Sequence, residues 1–269
     1  MKPILFPGLG LTFDISNVAF HLLGKDIYWY GIIITCGLLL AMILAKRDKQ
    51  KYGIQWDDIT SFLIYALIVG FICARIYYVI FKWDYYSMHL DEIIKIWNGG
   101  IAIYGGVIGA LITGFIFCKR KKISFFNLCD FCAPYLALAQ SIGRWGNFFN
   151  REAYGGPTNS LLRMGIYHTT LNEYQYVHPT FLYESVANFF IFVILLLVKK
   201  KQKFDGQIFE LYMILYGIAR FFIEGLRADS LYLGPFRISQ MLALLFVLLF
   251  STLFFIQTFK RKNNAKKEN

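Results

Sequence analysis

The chain has 269 residues, 57% hydrophobic, 19% aromatic and only 17% charged, with a mean hydropathy of +0.48 and a formal net charge of +11. Charged residues fall well below the roughly 25% usual in soluble domains. This excludes a disordered chain, a solenoid of soluble repeats and a soluble globular domain. A basic surface can attract nucleic acid, but here the charge is segregated into blocks, so no nucleic-acid partner is expected.

Apolar runs near the length of a membrane span, about 20 residues, fall at approximately 28–45, 59–81, 100–118, 128–149, 179–198, 207–226 and 238–259. The N-terminus lacks the charged n-region and small-residue cleavage site of a signal peptide, so the first run is expected to be retained. Lys46, Arg47, Lys49 and Lys51 follow the first run, and Lys119–Lys122 follow the third. Lys199, Lys200, Lys201 and Lys203 follow the fifth, and Lys260, Arg261, Lys262, Lys266 and Lys267 follow the seventh. Alternate loops thus carry most of the positive charge, as cytoplasmic loops do. The pattern predicts an all-α polytopic membrane protein with seven transmembrane helices, the N-terminus outside and the C-terminus cytoplasmic. Residues 1–269 read as a single integral-membrane domain, with a small extracytoplasmic cap from about 150–178. Trp29, Tyr30, Trp83, Tyr85, Tyr86 and Trp97 fit an interfacial aromatic belt.

The five cysteines, Cys36, Cys73, Cys118, Cys129 and Cys132, lie in or beside apolar runs. Cys129 and Cys132 form a C-x-x-C, but neither a second such pair nor a histidine pair completes a metal site. Buried, inert thiols are expected.

The chemistry lies in arginines inside the apolar runs: Arg75, Arg144 and Arg220. A charge at mid-membrane costs about 2.5–3.5 kcal/mol on insertion scales, and guanidinium cannot shed its proton. With few intramembrane acids to match them, the three are expected to leave positive charge that a bound anion would balance. Arg220, Glu224 and Arg227 recur at i, i+4 and i+7 and share a helix face, so Glu224 can hold one arginine while another addresses a ligand. Arg144 and Asn147 share a face at i and i+3, flanked by Gly143 and Gly146, which allow close approach. Asn150 and Glu152 follow where that helix opens into a loop ending in Gly155-Gly156. Tyr30, Tyr104, His178, Tyr183 and Glu184 fall at the same level of other runs. Asn127 and Asp130 sit at the opposite end and read as structural, and His21, His89 and His168 receive no role.

The stretch Gly143-Arg144-Trp-Gly146-Asn147-Phe-Phe-Asn150-Arg-Glu152-Ala-Tyr-Gly155-Gly156 resembles the bacterial phosphatidylglycerol–prolipoprotein diacylglyceryl transferases. Supporting matches are Trp29-Tyr30-Gly31, Gly99-Gly100-Ile-Ala-Ile-Tyr104-Gly105-Gly106, His178-Pro179 with Leu182-Tyr183-Glu184, and Arg220-Phe-Phe-Ile-Glu224 with Arg227. The similarity covers residues 20–260.

The resemblance implies a monomeric multi-pass enzyme of the bacterial cytoplasmic membrane, its active site toward the outer face. It implies transfer of the diacylglyceryl group of phosphatidylglycerol to the lipobox cysteine thiol of a preprolipoprotein signal peptide, with release of glycerol 1-phosphate. No metal or organic cofactor is expected. Arg144, Arg220 and Tyr104 would be catalytic, and Arg144, Tyr30, Asn147, Glu152, Gly155, Glu224 and Arg227 would bind phosphatidylglycerol. Arg75, Asn150, His178 and Glu184 would support them. Many family members carry histidine where this chain has Tyr104, and a tyrosine, with a pKa near 10, is a poor base at neutral pH. Tyr104 is therefore expected to hydrogen-bond the thiol or headgroup. A membrane transporter or channel for an anion is the rival reading, since intramembrane arginines also mark transport pathways.

Overall fold

The computed structural model describes residues 2–48 and 52–267. Lys49 and Lys51 lie outside the described residues, as do the side chains of Lys266 and Lys267. Each of the apolar runs forms a helix: α1 (Trp29–Ala45), α2 (Trp56–Phe81), α4 (Ile103–Lys121), α5 (Phe125–Asn150), α6 (Thr180–Lys199), α7 (Gln207–Leu226) and α8 (Ile238–Lys267). A single turn, α3 (Trp83–Tyr86), follows α2. α2 begins three residues earlier than the hydrophobic pattern suggests, because Asp57 and Asp58 suit the positive end of the helix dipole. α4 starts later than its run and ends among Lys119, Arg120 and Lys121, with Lys122 closing it in the left-handed region at φ 56°.

The all-α expectation fails outside the helices. The described residues include short antiparallel strands: β1 (Ile4–Phe6), β2 (Leu11–Phe13), β3 (Val18–Leu22), β4 (Lys25–Tyr28), β5 (Met164–His168), β6 (Glu173–Val177), β7 (Tyr232–Leu233) and β8 (Phe236–Arg237). At two to five residues they are too short for an alternating pattern to register. Their turns explain them better. Leu23 and Gly24 both take positive φ, 50° and 75°, as a two-residue hairpin loop between β3 and β4 requires.

Four of the helices, α2, α4, α6 and the first 26 residues of α8, are long and apolar enough to cross a membrane, and α1 is apolar but shorter. α5 and α7 are not among them. They carry Asp130, Gln140, Arg144 and Asn147 on one, and Glu210, Arg220 and Glu224 on the other. These polar groups lower hydropathy where helices must face protein rather than lipid.

The chain divides into two compact units, Met1–Ala45 with Cys132–Asn269, and Lys46–Phe131. In the second, α2 and α4 pack through small residues. A Cβ on Gly105 would lie 2.4 Å from the Cys73 carbonyl oxygen, and one on Gly109 would lie 2.9 Å from that of Val69. The backbones approach at a distance only glycine permits.

Arg75 belongs to this unit, and its surroundings satisfy its guanidinium without a bound anion. Its guanidinium donates to the carbonyls of Glu92 (2.6 Å), Ile93 (2.8 Å), Gly99 (2.7 Å) and Gly100 (2.7 Å), and it lies 5.1 Å from the Tyr86 ring centroid. Gly99 and Gly100, at φ 85° and 77°, turn their carbonyls toward it. A buried arginine is thus satisfied by backbone dipoles and clamps the 92–100 loop. Beside it, Lys95 and Asp91 pair at 2.6 Å; the hydrogen bond and charge of Lys95 hold the Asp91 carboxyl below its ordinary value.

In the first unit, β2-β1-β5-β6 form one sheet, with Leu5 opposite Gly165 and Met164 opposite Val177. Its inner face, Ile4, Phe6, Met164, Ile166 and Val177, packs on Phe148 of α5 and Phe181 of α6. Those two rings stack at 4.9 Å. The sheet thereby fixes the ends of α5 and α6 from which the polar residues emerge.

Arg75→Met is expected to cost roughly 2–3 kcal/mol, the scale for losing hydrogen bonds from a charged donor, and to open residues 90–100 to protease. Thermal unfolding with limited proteolysis in detergent measures both. An unchanged cleavage pattern would refute the clamp.

Candidate active site

Three helices of the first unit converge through buried hydroxyls. Ser141 of α5 and Ser185 of α6 each donate to the other's carbonyl, at 2.7 and 2.8 Å. Trp145 donates its indole N–H to Ser185 Oγ at 3.1 Å, and Gln140 of α5 accepts from Tyr212 of α7 at 3.0 Å. In an apolar surround such pairs fix register, because neither group has water as an alternative.

One helical turn from Ser141 lies Arg144. Its Nε meets Glu184 Oε2 at 2.6 Å, while the other oxygen of Glu184 accepts from Arg220 Nη1. Arg220 Nη2 in turn lies 2.6 Å from Glu224 Oε2, and Arg227 Nε is 3.9 Å from that same oxygen. Tyr216 of α7 lies within electrostatic reach of Glu184, Arg220 and Arg144. A chain of alternating charge thus ties α5 to α6 and α6 to α7.

This arrangement corrects the expectation of unmatched positive charge. Arg144 and Arg220 are neutralised by protein carboxylates, chiefly Glu184, for which the sequence suggests only a supporting place. The exposures show what remains available. Glu184 and Glu224 are 3% and 2% exposed, whereas Arg144 and Arg220 retain 25% and 19%. The carboxylates form a covered floor, while the arginine side chains keep part of their surface exposed.

A second set of bonds continues from Arg144. Its Nη1 donates to Asn147 Oδ1 at 3.3 Å, and Asn147 donates to Glu152 Oε1 at 3.0 Å. Asn150 donates to the same oxygen at 3.2 Å. Asn150 and Glu152 border an open cavity of about 850 Å³ together with Tyr30, Gly31, Thr35 and Cys36. Cys36 is exposed there, contrary to the expected buried thiol, while Cys118 is buried. Gly146 is required where α1 meets α5, since a Cβ on it would lie 2.7 Å from the Tyr30 ring.

Gly155 sits at a crowded backbone contact. A Cβ on it would come within 2.7 Å of both His178 Cβ and the Leu226 carbonyl oxygen. Its amide donates to His178 O at 2.9 Å, the His178 amide donates to Gly156 O at 3.1 Å, and Gly155 pairs with Arg227 across a β-bridge. His178 contributes its backbone here, and its ring Nδ1 lies 3.4 Å from the Tyr183 hydroxyl. Arg227 grips Asp229 at 2.9 and 2.7 Å. Burial opposes ionisation of Asp229, but the hydrogen bond and charge of Arg227 outweigh it and lower its carboxyl pKa. This contribution to stability is present above the ordinary value near pH 4 and fades as pH falls through the lowered one.

The first unit thus gathers Arg144, Arg220, Glu184, Glu224, Arg227, Asn147, Asn150, Glu152 and Tyr30, with Gly155 and His178 behind them. Tyr104 and Arg75 belong to the Lys46–Phe131 unit; the Tyr104 ring is 44% exposed on α4, 6.4 Å from Tyr77. Tyr216 was missed by sequence reasoning. Its signal was its place one turn before Arg220 on the same helix face.

The model of the family described as prolipoprotein diacylglyceryl transferase matches residues 17–256. The chain belongs to this family. Its relatives named phosphatidylglycerol–prolipoprotein diacylglyceryl transferase include that of Finegoldia magna, 50% identical over 87% of this chain and 92% of the relative. That of Clostridioides difficile is 46% identical over 94% of this chain and 100% of the relative. That of Clostridium novyi is 44% identical, with the same two coverages. This family member carries its polar cluster on the helices that the matched segment includes.

Glu184→Gln removes the carboxylate charge shared by two arginines and is expected to destabilise the protein by about 3–5 kcal/mol, the scale for breaking a buried ion pair. Adding Arg144→Gln should cost less than in the wild-type background. Thermal unfolding of the single and double variants checks this, and strict additivity would dissolve the pairing.

Proposed function

We propose that this protein transfers the diacylglyceryl group of phosphatidylglycerol to the thiol of a lipobox cysteine in a preprolipoprotein, releasing glycerol 1-phosphate. The supporting observation is the pair Arg144–Arg220 joined through buried Glu184, both arginines partly exposed and Arg144 continuing through Asn147 to Glu152. It works as a monomer in the bacterial cytoplasmic membrane. α1, α2 and α4 to α8 each cross, with the N-terminus and the active site outside and the C-terminus in the cytoplasm. The basic residues after α1, α4, α6 and α8 support this orientation. Residues 150–178 then lie in an extracytoplasmic cap.

In the transfer, the substrate sulfur bonds to the glycerol carbon while that carbon's bond to the phosphate oxygen breaks, and the bonding pair leaves with the phosphate. The diester carries one negative charge, and the departing monoester gains a second. Arg220 faces that developing charge and Arg144 binds the phosphate. Donors that Glu184 and Glu224 already hold in place need little reorganisation as the charge appears. Arg227, held by Asp229, adds a cation, while Tyr30, Asn147 and Glu152 bind the glycerol hydroxyls.

A thiol of ordinary pKa near 8.5 ionises more readily beside such cations. Its proton passes to water or to the departing phosphate, whose second pKa is about 6. No side chain of the protein is required as nucleophile. Tyr104 hydrogen-bonds the thiol or the headgroup.

Arg144→Ala and Arg220→Ala should each lower lipidation of a lipobox peptide by about 100-fold or more, the scale for losing a donor to developing charge. Labelled phosphatidylglycerol incubated with purified protein and peptide measures lipid transfer and glycerol phosphate release together. Full activity in both variants contradicts the assignment, and anion movement without peptide lipidation would favour a transporter. Tyr104→Phe is expected to slow the transfer several-fold; kinetics unchanged across pH would remove Tyr104 from the mechanism.

A further inference from the structure

The turn that ends α5 separates two recesses. Asn150 and Glu152 border the cavity beside Tyr30, whereas Arg151 lines a different recess of about 450 Å³ with Lys2, Tyr167 and Thr169. The backbone produces this alternation. Arg151 takes φ 55° and closes the helix, its amide donating to Phe148 O at 3.1 Å, so its side chain leaves on the opposite side from its neighbours.

The Arg151 side chain is incompletely satisfied. Nη2 donates to the Ile15 carbonyl at 3.0 Å, but Nε is buried with no hydrogen-bond partner among the described residues. No carboxylate pairs with Arg151 within 4.0 Å among those residues. Burial disfavours the cation, and Tyr174 and Asp14 offset this only through space. Lys2 brings a second cation, its ammonium 5.6 Å from the centroid of the Tyr167 ring. Two cations and a threonine border one recess, and the Arg151 guanidinium has no carboxylate partner among the described residues; together they are a donor set for a tetrahedral oxyanion.

We propose that the Lys2–Arg151–Tyr167–Thr169 recess binds a phosphate group, separately from the Arg144–Arg220 network. Arg151 supplies the oriented donors, Lys2 a second charge and Thr169 a hydroxyl. The phosphate is either a free ion or ester in solution or the headgroup of an anionic lipid. This site goes beyond the proposed transfer reaction and does not require it.

The test uses the full chain in detergent, titrated with inorganic phosphate and with glycerol 1-phosphate, and the chain in nanodiscs of phosphatidylglycerol or phosphatidylcholine. Arg151→Gln should weaken phosphate binding at least tenfold, Lys2→Gln about threefold, and Arg151→Lys should retain most of it. Thermal unfolding of each variant controls for folding, and Lys2→Gln perturbs only an exposed residue. Binding should persist in an Arg144→Ala/Arg220→Ala protein, which separates this site from the central network. Arg151-dependent binding in solution supports the proposal with a free phosphate as ligand. Arg151-dependent protection seen only in phosphatidylglycerol nanodiscs supports it with a lipid headgroup. Binding unaffected by Arg151→Gln and Lys2→Gln, or abolished by the central double variant alone, overturns it. Lipid transfer assayed on the same variants reports on the transferase reading independently.

Discussion

The carboxylate of Glu184, buried between Arg144 and Arg220, is the interaction on which the site depends. A single carboxyl group shared by two guanidiniums satisfies three charged side chains with one short set of bonds. It also fixes geometry, because Arg144, Glu184 and Arg220 come from α5, α6 and α7. Burying these charges without partners would cost several kcal/mol apiece. Helix packing and site assembly are therefore the same event: the helices cannot close properly without forming the arginine pair. The Ser141–Ser185 and Gln140–Tyr212 bonds extend that coupling along α5.

The same constraint divides the helices by composition. α2, α4, α6 and α8 are apolar over membrane-spanning lengths, and their large side chains are widely exposed, as a lipid-facing surface would be. α5 and α7 trade hydropathy for function. α6 does both, carrying Glu184 in its first turns and an apolar stretch beyond them. Arg75 follows a different solution to the same problem: backbone carbonyls, turned inward by two glycines, replace a counter-ion. An arginine in an apolar run thus identifies a place where partners must converge, without revealing whether those partners form a site or a clamp.

Features carried by short sequence intervals were legible in advance. Arg220, Glu224 and Arg227 share a face by spacing alone, and their contacts follow it. Arg144 with Asn147, and Asn147 with Glu152, are equally local. Glu184 was undervalued because its partners lie 36 and 40 positions away, a separation that helix periodicity does not encode. Tyr216 was missed for a similar reason, since the charges of Glu184 and Arg144 that act on it come from other helices. The strands escaped notice because hydrogen bonds to remote segments create them, as when Leu5 pairs with Gly165. Gly155 was visible as a glycine, but only the backbone of Leu226 and His178 against it explains why no side chain fits.

Neutralised arginines can still favour an anionic transition state over an anionic ground state. A bare guanidinium pair would bind a phosphodiester strongly at the outset, leaving less to gain when its charge increases. Glu184 and Glu224 temper that attraction while holding the donors in place, and their burial keeps them from competing at the open face. In the proposed transfer the benefit grows with the second negative charge on the departing phosphate, where oriented donors count most. Exposure on the arginine side and burial on the carboxylate side is the asymmetry such differential binding requires.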